Sequence, residues 1–441
     1  MKGLSKKVVR EISRKKKEPK WMLEFRLKAL EFFEQKPMPK WGADLSGIDF
    51  SEYTYFKEPG VYRKRSWEEV PEKTRKVYEK LKIPQVERKL LAGVGVQWDS
   101  GVVYQSLKER MVKLGVIFCD MDEAVKKYPE LVKKYFMRKA VSVENNKIAA
   151  LHGAVWSGGS FVYVPKGVKV SEPLQGYFFL NLEKGGQFEH TLIILEEGAR
   201  LEFIEGCSAP TYKAAALHAG VVEIFVGKRA KMRYSTIQNW SRNVYNLSTK
   251  RAIVEEEGIM EWISGSLGSK VTMVYPASIL VGKGARADHL NLSLASRGQE
   301  IDTGGKAVHA APETTSNMVA KSISKEGGLT TYRGLVKILK GAKGAKTSVS
   351  CEALILDKKS KSYTYPHMEI DEDEVVALHE AKTGKVTEEE LFYLMSRGLS
   401  EEEAMSMIVN GFIEPIVKQL PLEYAVEMNR LIELEMEGSV G

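Results

Sequence analysis

Residues 162–170, VYVPKGVKV, carry the pattern on which the fold turns. A short run of branched apolar residues meets a charged turn centred on Gly167, and a second alternating run follows. The same arrangement returns as IILEEGARLEF at 193–203, EIFVGKRAKMRY at 223–234, AIVEEEGIMEW at 252–262, SILVGKGARADHL at 278–290 and VKILKGAKGAKTSV at 336–349. Alternation with period two between glycine-containing turns marks strands. With Gly167, Gly198, Arg229, Gly258 and Gly284 as turn markers, the intervals are 31, 31, 29 and 26 residues; weaker matches near Pro312 and Gly344 add 28 and 32. One such unit cannot bury its own apolar face, so successive units must stack into a solenoid. The strands are rich in Val, Ile and Thr and lack helical spacing, which favours a β-helix over leucine-rich or helical repeats. A sandwich of irregular hairpins is the alternative.

The flanks read differently. WMLEFRLKALEFFEQ at 21–35 places Met22, Phe25, Leu27, Leu30 and Phe33 near helical spacing, and MDEAVKKYPELVKKYFMRKAV at 121–141 does so again. Between them, VQWDSGVVYQ and GVIFCDM look extended. After residue 386, Thr387 with Glu390 and Ser400 with Glu403 match the capping box, and Gly398 ends the first of these helices. The expected organisation is a mostly helical region over 1–145, a β-helix core over 146–385 and a helical region over 386–441.

At 441 residues and 43% hydrophobic content the chain can bury a large core, and 66 basic against 58 acidic residues leave a net charge of only +8. The densest basic run, REISRKKKEPK at 10–20, sits beside an amphipathic segment and reads as a solvated helix face, so no nucleic-acid partner is expected. No apolar stretch approaches the roughly 20 residues needed to cross a bilayer, and the basic amino terminus has no apolar signal core, so a cytoplasmic protein without a membrane partner is expected.

Three cysteines occur, Cys119, Cys207 and Cys351, with no CxxC pair, which argues against structural zinc and disulfides. GAKGAKTS at 341–348 fails as a phosphate loop because Ala345 precedes Lys346 and the segment lies between strands. ATP, if used, belongs to a partner. Cys207, in FIEGCSAPTY, lies where alternation breaks at Gly206 and Pro210, and is expected to project from an irregularity. Cys351 is expected at a strand start, its thiolate favoured by the basic turn of Lys340, Lys343 and Lys346. His379 and Glu380 follow Cys351 by 28 and 29 residues, about one repeat, so sulfur, imidazole and carboxylate are expected on adjacent rungs. Thiolate suits iron, and a lone thiolate per chain suits a cluster that is released. Cys119 reads as a small buried hydrophobe. The remaining histidines, His152, His190, His218, His289, His309 and His367, have no evident partner and read as structural. A carbohydrate-active β-helix enzyme would need stacked carboxylates, and Asp288, Asp302 and Glu313 are scattered.

The chain resembles the SufB family, with its paralogue SufD, over nearly its whole length. EPKWMLEFRLKALEFF, AVWSGGSFVYVPKGV, FIEGCSAP, YSTIQNWS, TYRGLVKIL, HEAKTG, SEEEAMSMIVNGFIEPI and the closing EGSVG carry the likeness. The resemblance implies a mainly β protein, a right-handed parallel β-helix between helical end regions. It implies a non-enzymatic scaffold for iron-sulfur cluster assembly, with ATP hydrolysis supplied by the ABC-type ATPase SufC, gripped by the carboxy-terminal helices. It assigns Cys207 as sulfur acceptor, Cys351 as the site of the nascent cluster with Glu380 and His379 beside it, and Gln238, Trp240 and Lys250, near Asn181, as lining of a sulfur route. A transient iron-sulfur cluster, with reduced flavin as a further candidate cofactor, and a cysteine desulfurase or other sulfur donor belong to the same implication. So does pairing, as a homodimer or with SufD. The thiol at Cys351 favours SufB; a SufD-like structural partner without its own cluster site is the alternative.

Overall fold

The computed structural model describes residues 1–58, 91–210, 214–420 and 422–436, with Lys64, Glu69 and Glu72. The helical reading across residues 59–90 and the closing EGSVG lie largely or wholly outside the described residues.

The repeat is a parallel β-solenoid. One sheet runs, in spatial order, Gly101–Leu107, Gly93–Trp98, Leu174–Phe179, Arg200–Ser208, Lys231–Trp240, Ile259–Gly268, Arg286–Ala295, Thr315–Ser324, Lys346–Ile355 and Val376–Lys385. Every pairing after the first is parallel. The second sheet has two segments at first: the longer strands His190–Leu195, Val221–Val226, Thr249–Val254 and Ala277–Leu280, and the short strands Gly186–Gln187, Ala216–His218, Val244–Asn246 and Val271–Val274. Both segments converge on Glu300–His309, whose first half pairs with Val271–Val274 and second half with Ala277–Leu280. The register sets Gly304 and Gly305 opposite the interruption at Tyr275 and Pro276. Pro276 has no N–H to continue a ladder, whereas the glycine pair lets the strand run straight through. The coil therefore flattens from three segments to two as it approaches Cys351.

Each turn of the repeat is pinned to the next. Gly167, Gly198, Arg229, Glu257, Gly284, Glu313 and Gly344 all have φ between 53° and 75°. Each backbone N–H donates to a carbonyl one coil on: Gly167 to Glu197, Gly198 to Lys228, Arg229 to Glu256, Glu257 to Lys283, Gly284 to Pro312, Glu313 to Lys343 and Gly344 to Glu374, at 2.7–3.1 Å. The left-handed backbone turns the donor along the solenoid axis, which is why glycine recurs there. The sequence markers Gly258 and Pro312 each stand one residue from the residue that makes this bond. Residues 341–348 form one of these corners and lead into a strand, so the stretch is a turn of the coil.

Strands begin earlier than the expected core boundary, because GVGVQW at 93–98 is small and branched and joins Leu174–Phe179 in parallel. The last strand ends at Lys385. The helices Lys6–Lys16, Lys20–Gln35 and Lys147–Val155 close the amino-terminal end around Trp156, with Arg26 bonded to Glu18 and to the Ala154 and Trp156 carbonyls. Both carboxy-terminal capping boxes form, at Thr387 and Ser400. Helices Glu401–Val417 and Leu422–Met436 contribute Val409, Ile413, Ile416 and Met428 to a core shared with Leu292, Leu294 and Ile323. Helix Glu388–Met395 buries nothing, and Phe392 is 74% exposed.

Candidate functional site

In-register stacking turns strand alternation into columns. Inside the ten-stranded sheet, Phe203, Tyr234, Trp262, His289, Met318 and Val349 occupy successive rungs. Beside them runs a smaller, more polar column: Glu205, Thr236, Ser264, Asn291, Ala320 and Cys351. Ser264 Oγ and Asn291 Oδ1 are buried with no hydrogen-bond partner among the described residues. A third column begins with Cys207 and Gln238 and continues through Ser266, Ser293 and Ser322.

Cys207 does not project from an irregularity. It lies within Arg200–Ser208, faces the interior with Leu201, Phe203 and Glu205, and is 2% exposed. Gly206 does not break the strand: a Cβ there would come within 2.7 Å of the Tyr177 ring, which covers the outer face at this point. Around the sulfur, Glu205 receives Lys250 Nζ at 2.5 Å, Thr236 Oγ1 at 3.0 Å, Gln238 Nε2 at 3.5 Å and the Tyr234 hydroxyl. Trp240 Nε1 donates to Gln238 at 3.5 Å, and its ring lies 4.4 Å from that of His218. Gln238, Trp240 and Lys250 thus gather at Cys207. Asn181 follows the strand Leu174–Phe179, its backbone N–H on Asp99 at 2.7 Å.

Sequence reasoning missed two members of this site. His218, from the short strand Ala216–His218, contacts Glu189 at 2.5 Å, and Glu189 Oε2 has no partner among the described residues. Glu189, Cys207 and His218 bring their ligand atoms within 4.8 Å of one another, a grouping found among the described residues only here. Glu189 precedes His218 by 29 residues and so lies two residues off the local register, which sets Gln187 opposite His218. Burial alone would depress the His218 imidazole, but Glu189 raises it above its ordinary value. Burial raises the Cys207 thiol well above its usual range, and the charges of Glu205 and Glu189 add to this. For Glu205, burial pushes upward, yet Lys250 and the Tyr234 hydroxyl prevail and hold it below the usual carboxylate range.

Cys351 also departs from expectation. It sits in the middle of Lys346–Ile355, is 4% exposed, and burial pushes its thiol up to about 12, so the basic turn does not produce a thiolate. The local offset is 30 residues: Val349 pairs with His379, Ser350 with Glu380 and Cys351 with Ala381. His379 therefore shares the inner face with Cys351, and its Nε2 is buried without a partner among the described residues. Glu380 lies on the opposite face, 2.7 Å from Lys382, so the expected convergence of all three groups does not occur within one chain. The scattered acids are each matched to a cation: Asp288 to Arg286, Asp302 to Arg333 and Glu313 to Lys283. Cys119 is buried in Ile117–Asp120, as expected of a small hydrophobe.

No helix of the described residues is long and apolar enough to cross a membrane. Residues 178–412 match the family model described as "SUF system FeS cluster assembly, SufBD core domain", and residues 10–175 match the SufBD amino-terminal region. The chain is 55% identical over 439 residues to the iron-sulfur cluster assembly protein SufB of Bacillus subtilis, covering all of this chain and 94% of that protein. It is 54% identical, with the same coverage, to an iron-sulfur cluster assembly SufBD family protein of Staphylococcus epidermidis. With full-length likeness, the solenoid and the interior thiols in agreement, this chain belongs to the SufB/SufD family of iron-sulfur cluster assembly proteins.

Proposed function

We propose that the protein is a scaffold that accepts sulfur at Cys207, carries it through the solenoid to Cys351, and there assembles a transient cluster from sulfur and iron. The observation that carries this reading is the continuous column of small and polar side chains from Glu205 to Cys351, flanked at its start by Cys207. Five rungs at about 4.8 Å each separate the two ends by roughly 24 Å. The orphaned oxygens of Ser264 and Asn291 give a polar cargo partners on the way, where a fully satisfied interior would offer none.

At the entrance, Cys207 attacks the terminal sulfur of a donor persulfide. The new S–S bond forms as the donor S–S bond breaks, and the donor leaves as a thiol, taking up the proton that Cys207 releases. A buried, neutral thiol needs a base for this step; Glu205 and the Glu189–His218 pair surround it. A small thiol carrier then attacks the outer sulfur of the Cys207 persulfide, leaving Cys207 as thiol, and Cys351 in turn attacks the carrier's persulfide, releasing the carrier as thiol. At the far end, Cys351 and His379 share one face and offer sulfur and nitrogen to iron. Glu380, turned outward, would serve a cluster shared with a second subunit.

The end of the solenoid supports such pairing. Lys361–Ile370 and Val376–Lys385 are the outermost rungs of their sheets, and Tyr363, Tyr365, Val376 and Leu378 are exposed there. An open, apolar edge is a template for a second chain, either another copy or SufD. The uncovered aromatic face of Glu388–Met395 fits the SufC ATPase, which would hydrolyse the ATP. Anaerobic reconstitution tests the reading: wild-type protein develops cluster absorbance and Cys351→Ser does not. Equal yields from both would remove Cys351 from the function.

A further inference from the structure

Three interior side chains at the entrance converge from separate segments of the coil. Cys207 comes from Arg200–Ser208 in the ten-stranded sheet, His218 ends the short strand Ala216–His218 of the second sheet, and Glu189 lies just before His190–Leu195. All three are buried. Their donor atoms, within 4.8 Å of one another, are a sulfur, an imidazole nitrogen and a carboxylate oxygen. A tetrahedral ion sets such atoms roughly 3.3–3.5 Å apart, so side-chain shifts of about 1–1.5 Å close the group on one. The backbone makes room for this arrangement. A Cβ at Gly220 would collide with Glu189 Oε1 and stand 3.3 Å from His218 Nε2, so glycine is what lets the carboxylate reach the imidazole.

The surroundings separate ligands from supports. Glu205 is committed on both oxygens, one to Lys250, Thr236 and Gln238 and the other to the Tyr234 hydroxyl. Glu189 is not: its Oε2 is buried with no partner among the described residues. His218 Nδ1 donates to Asn246 Oδ1 at 2.8 Å, which leaves Nε2 as the nitrogen facing Glu189. Asn246 is held in turn by Gln238 and Thr272, and the Trp240 ring packs on the imidazole at 4.4 Å. Metal-binding imidazoles are oriented in this way through their second nitrogen. Charge points to a divalent ion. Glu189 and a Cys207 thiolate supply the two negative charges such an ion needs in a dry interior, while Glu205 and Lys250 offset one another. Sulfur, nitrogen and oxygen ligands with one position left open suit zinc, and the general stability order places zinc above iron(II) in any one site.

We propose that Glu189, Cys207 and His218 form a binding site for a divalent ion of the zinc class, separate from the cluster end at Cys351. The Cys207 thiol gives up its proton to the solvent as the ion binds. The site needs only the unloaded thiol and so does not rest on the sulfur route, although an ion held there occupies the sulfur atom that the route requires. Anaerobic titration of the reduced full chain with cobalt(II), a coloured substitute for zinc, reads the site directly. One equivalent should give the visible bands of a tetrahedral ion and a sulfur-to-metal charge-transfer band. Zinc should displace the cobalt, and iron(II) should bind at least tenfold more weakly than zinc. Cys207→Ser should abolish the charge-transfer band, Glu189→Gln should weaken binding at least about tenfold, and Cys351→Ser should change neither, with circular dichroism reporting an intact solenoid in each. Cluster yield, which tests the scaffold reading, plays no part in this readout. No charge-transfer band in the wild type, a band that survives Cys207→Ser or vanishes in Cys351→Ser, unweakened binding in Glu189→Gln, or iron(II) bound as tightly as zinc would overturn the proposal.

Discussion

Replacing Lys250 with methionine isolates the charge pair that holds the entrance of the column together. Lys250 and Glu205 are 1% and 2% exposed, and their contact is 2.5 Å. In Lys250→Met the Glu205 carboxylate keeps its bonds from Tyr234, Thr236 and Gln238 and the weaker influence of His218, but loses the ammonium bonded to it. Removing one member of a buried pair leaves the other charge uncompensated, at a cost of about 3–5 kcal/mol. Methionine roughly preserves the side-chain volume, so little of this loss arises from a cavity. Adding Glu205→Gln removes the stranded charge and should recover part of the stability, giving a coupling energy of at least ~2 kcal/mol in a double-mutant cycle. Because the folded state holds Glu205 below its unfolded value of 4.5, the pair's contribution is complete above that pH and fades as pH falls through the lower folded value. The wild-type advantage over Lys250→Met should therefore be full at pH 7 and shrink in acid. Urea denaturation measures each quantity. A single variant within ~1 kcal/mol of wild type, or a gap unchanged by acid, would refute the charged pair.

The same structure makes three further predictions. Gly198→Ala, at φ 71° with room for the added Cβ, should lose ~1 kcal/mol from left-handed strain alone, and an unchanged urea midpoint would contradict the corner geometry. Cys351, with its thiol pushed up to about 12, should resist iodoacetamide at pH 8, where only about one molecule in ten thousand carries the thiolate; rapid labelling of the native protein at that residue would contradict the burial. Phe392→Ser, on a helix that buries nothing, should leave the unfolding transition in place while weakening copurification with SufC at least tenfold, and undiminished copurification would exclude that face as the docking surface.

Much of the coil was legible because its corners repeat chemistry as well as spacing. Gly167, Gly198 and Gly284 mark the turns, and their N–H ladder accounts for the near-constant interval. The markers Gly258 and Pro312 misled by one residue because Glu257 and Glu313 accept the left-handed backbone that glycine usually supplies. Registers near Cys351 were harder to read. The repeat there is 30 residues, and an error of one residue transfers a side chain to the other face; this separates Glu380 from Cys351. Cys207 looked exposed because Gly206 resembles a break, when the glycine instead admits the Tyr177 ring. His218 gave no sign of a partner because its own strand, Ala216–His218, is three residues long and too short to show alternation, while Glu189 lies outside any strand and two residues off the register that sets Gln187 opposite His218.

The central claim is that sulfur entering at Cys207 reaches Cys351 through the interior. The most direct measurement loads the protein with labelled sulfur from a persulfide donor and maps it by peptide mass spectrometry in wild type, Cys207→Ser and Asn291→Leu, a near-isosteric change midway along the column. The account predicts label at both cysteines in wild type, at neither in Cys207→Ser, and at Cys207 alone in Asn291→Leu. Label arriving at Cys351 in Cys207→Ser would contradict it.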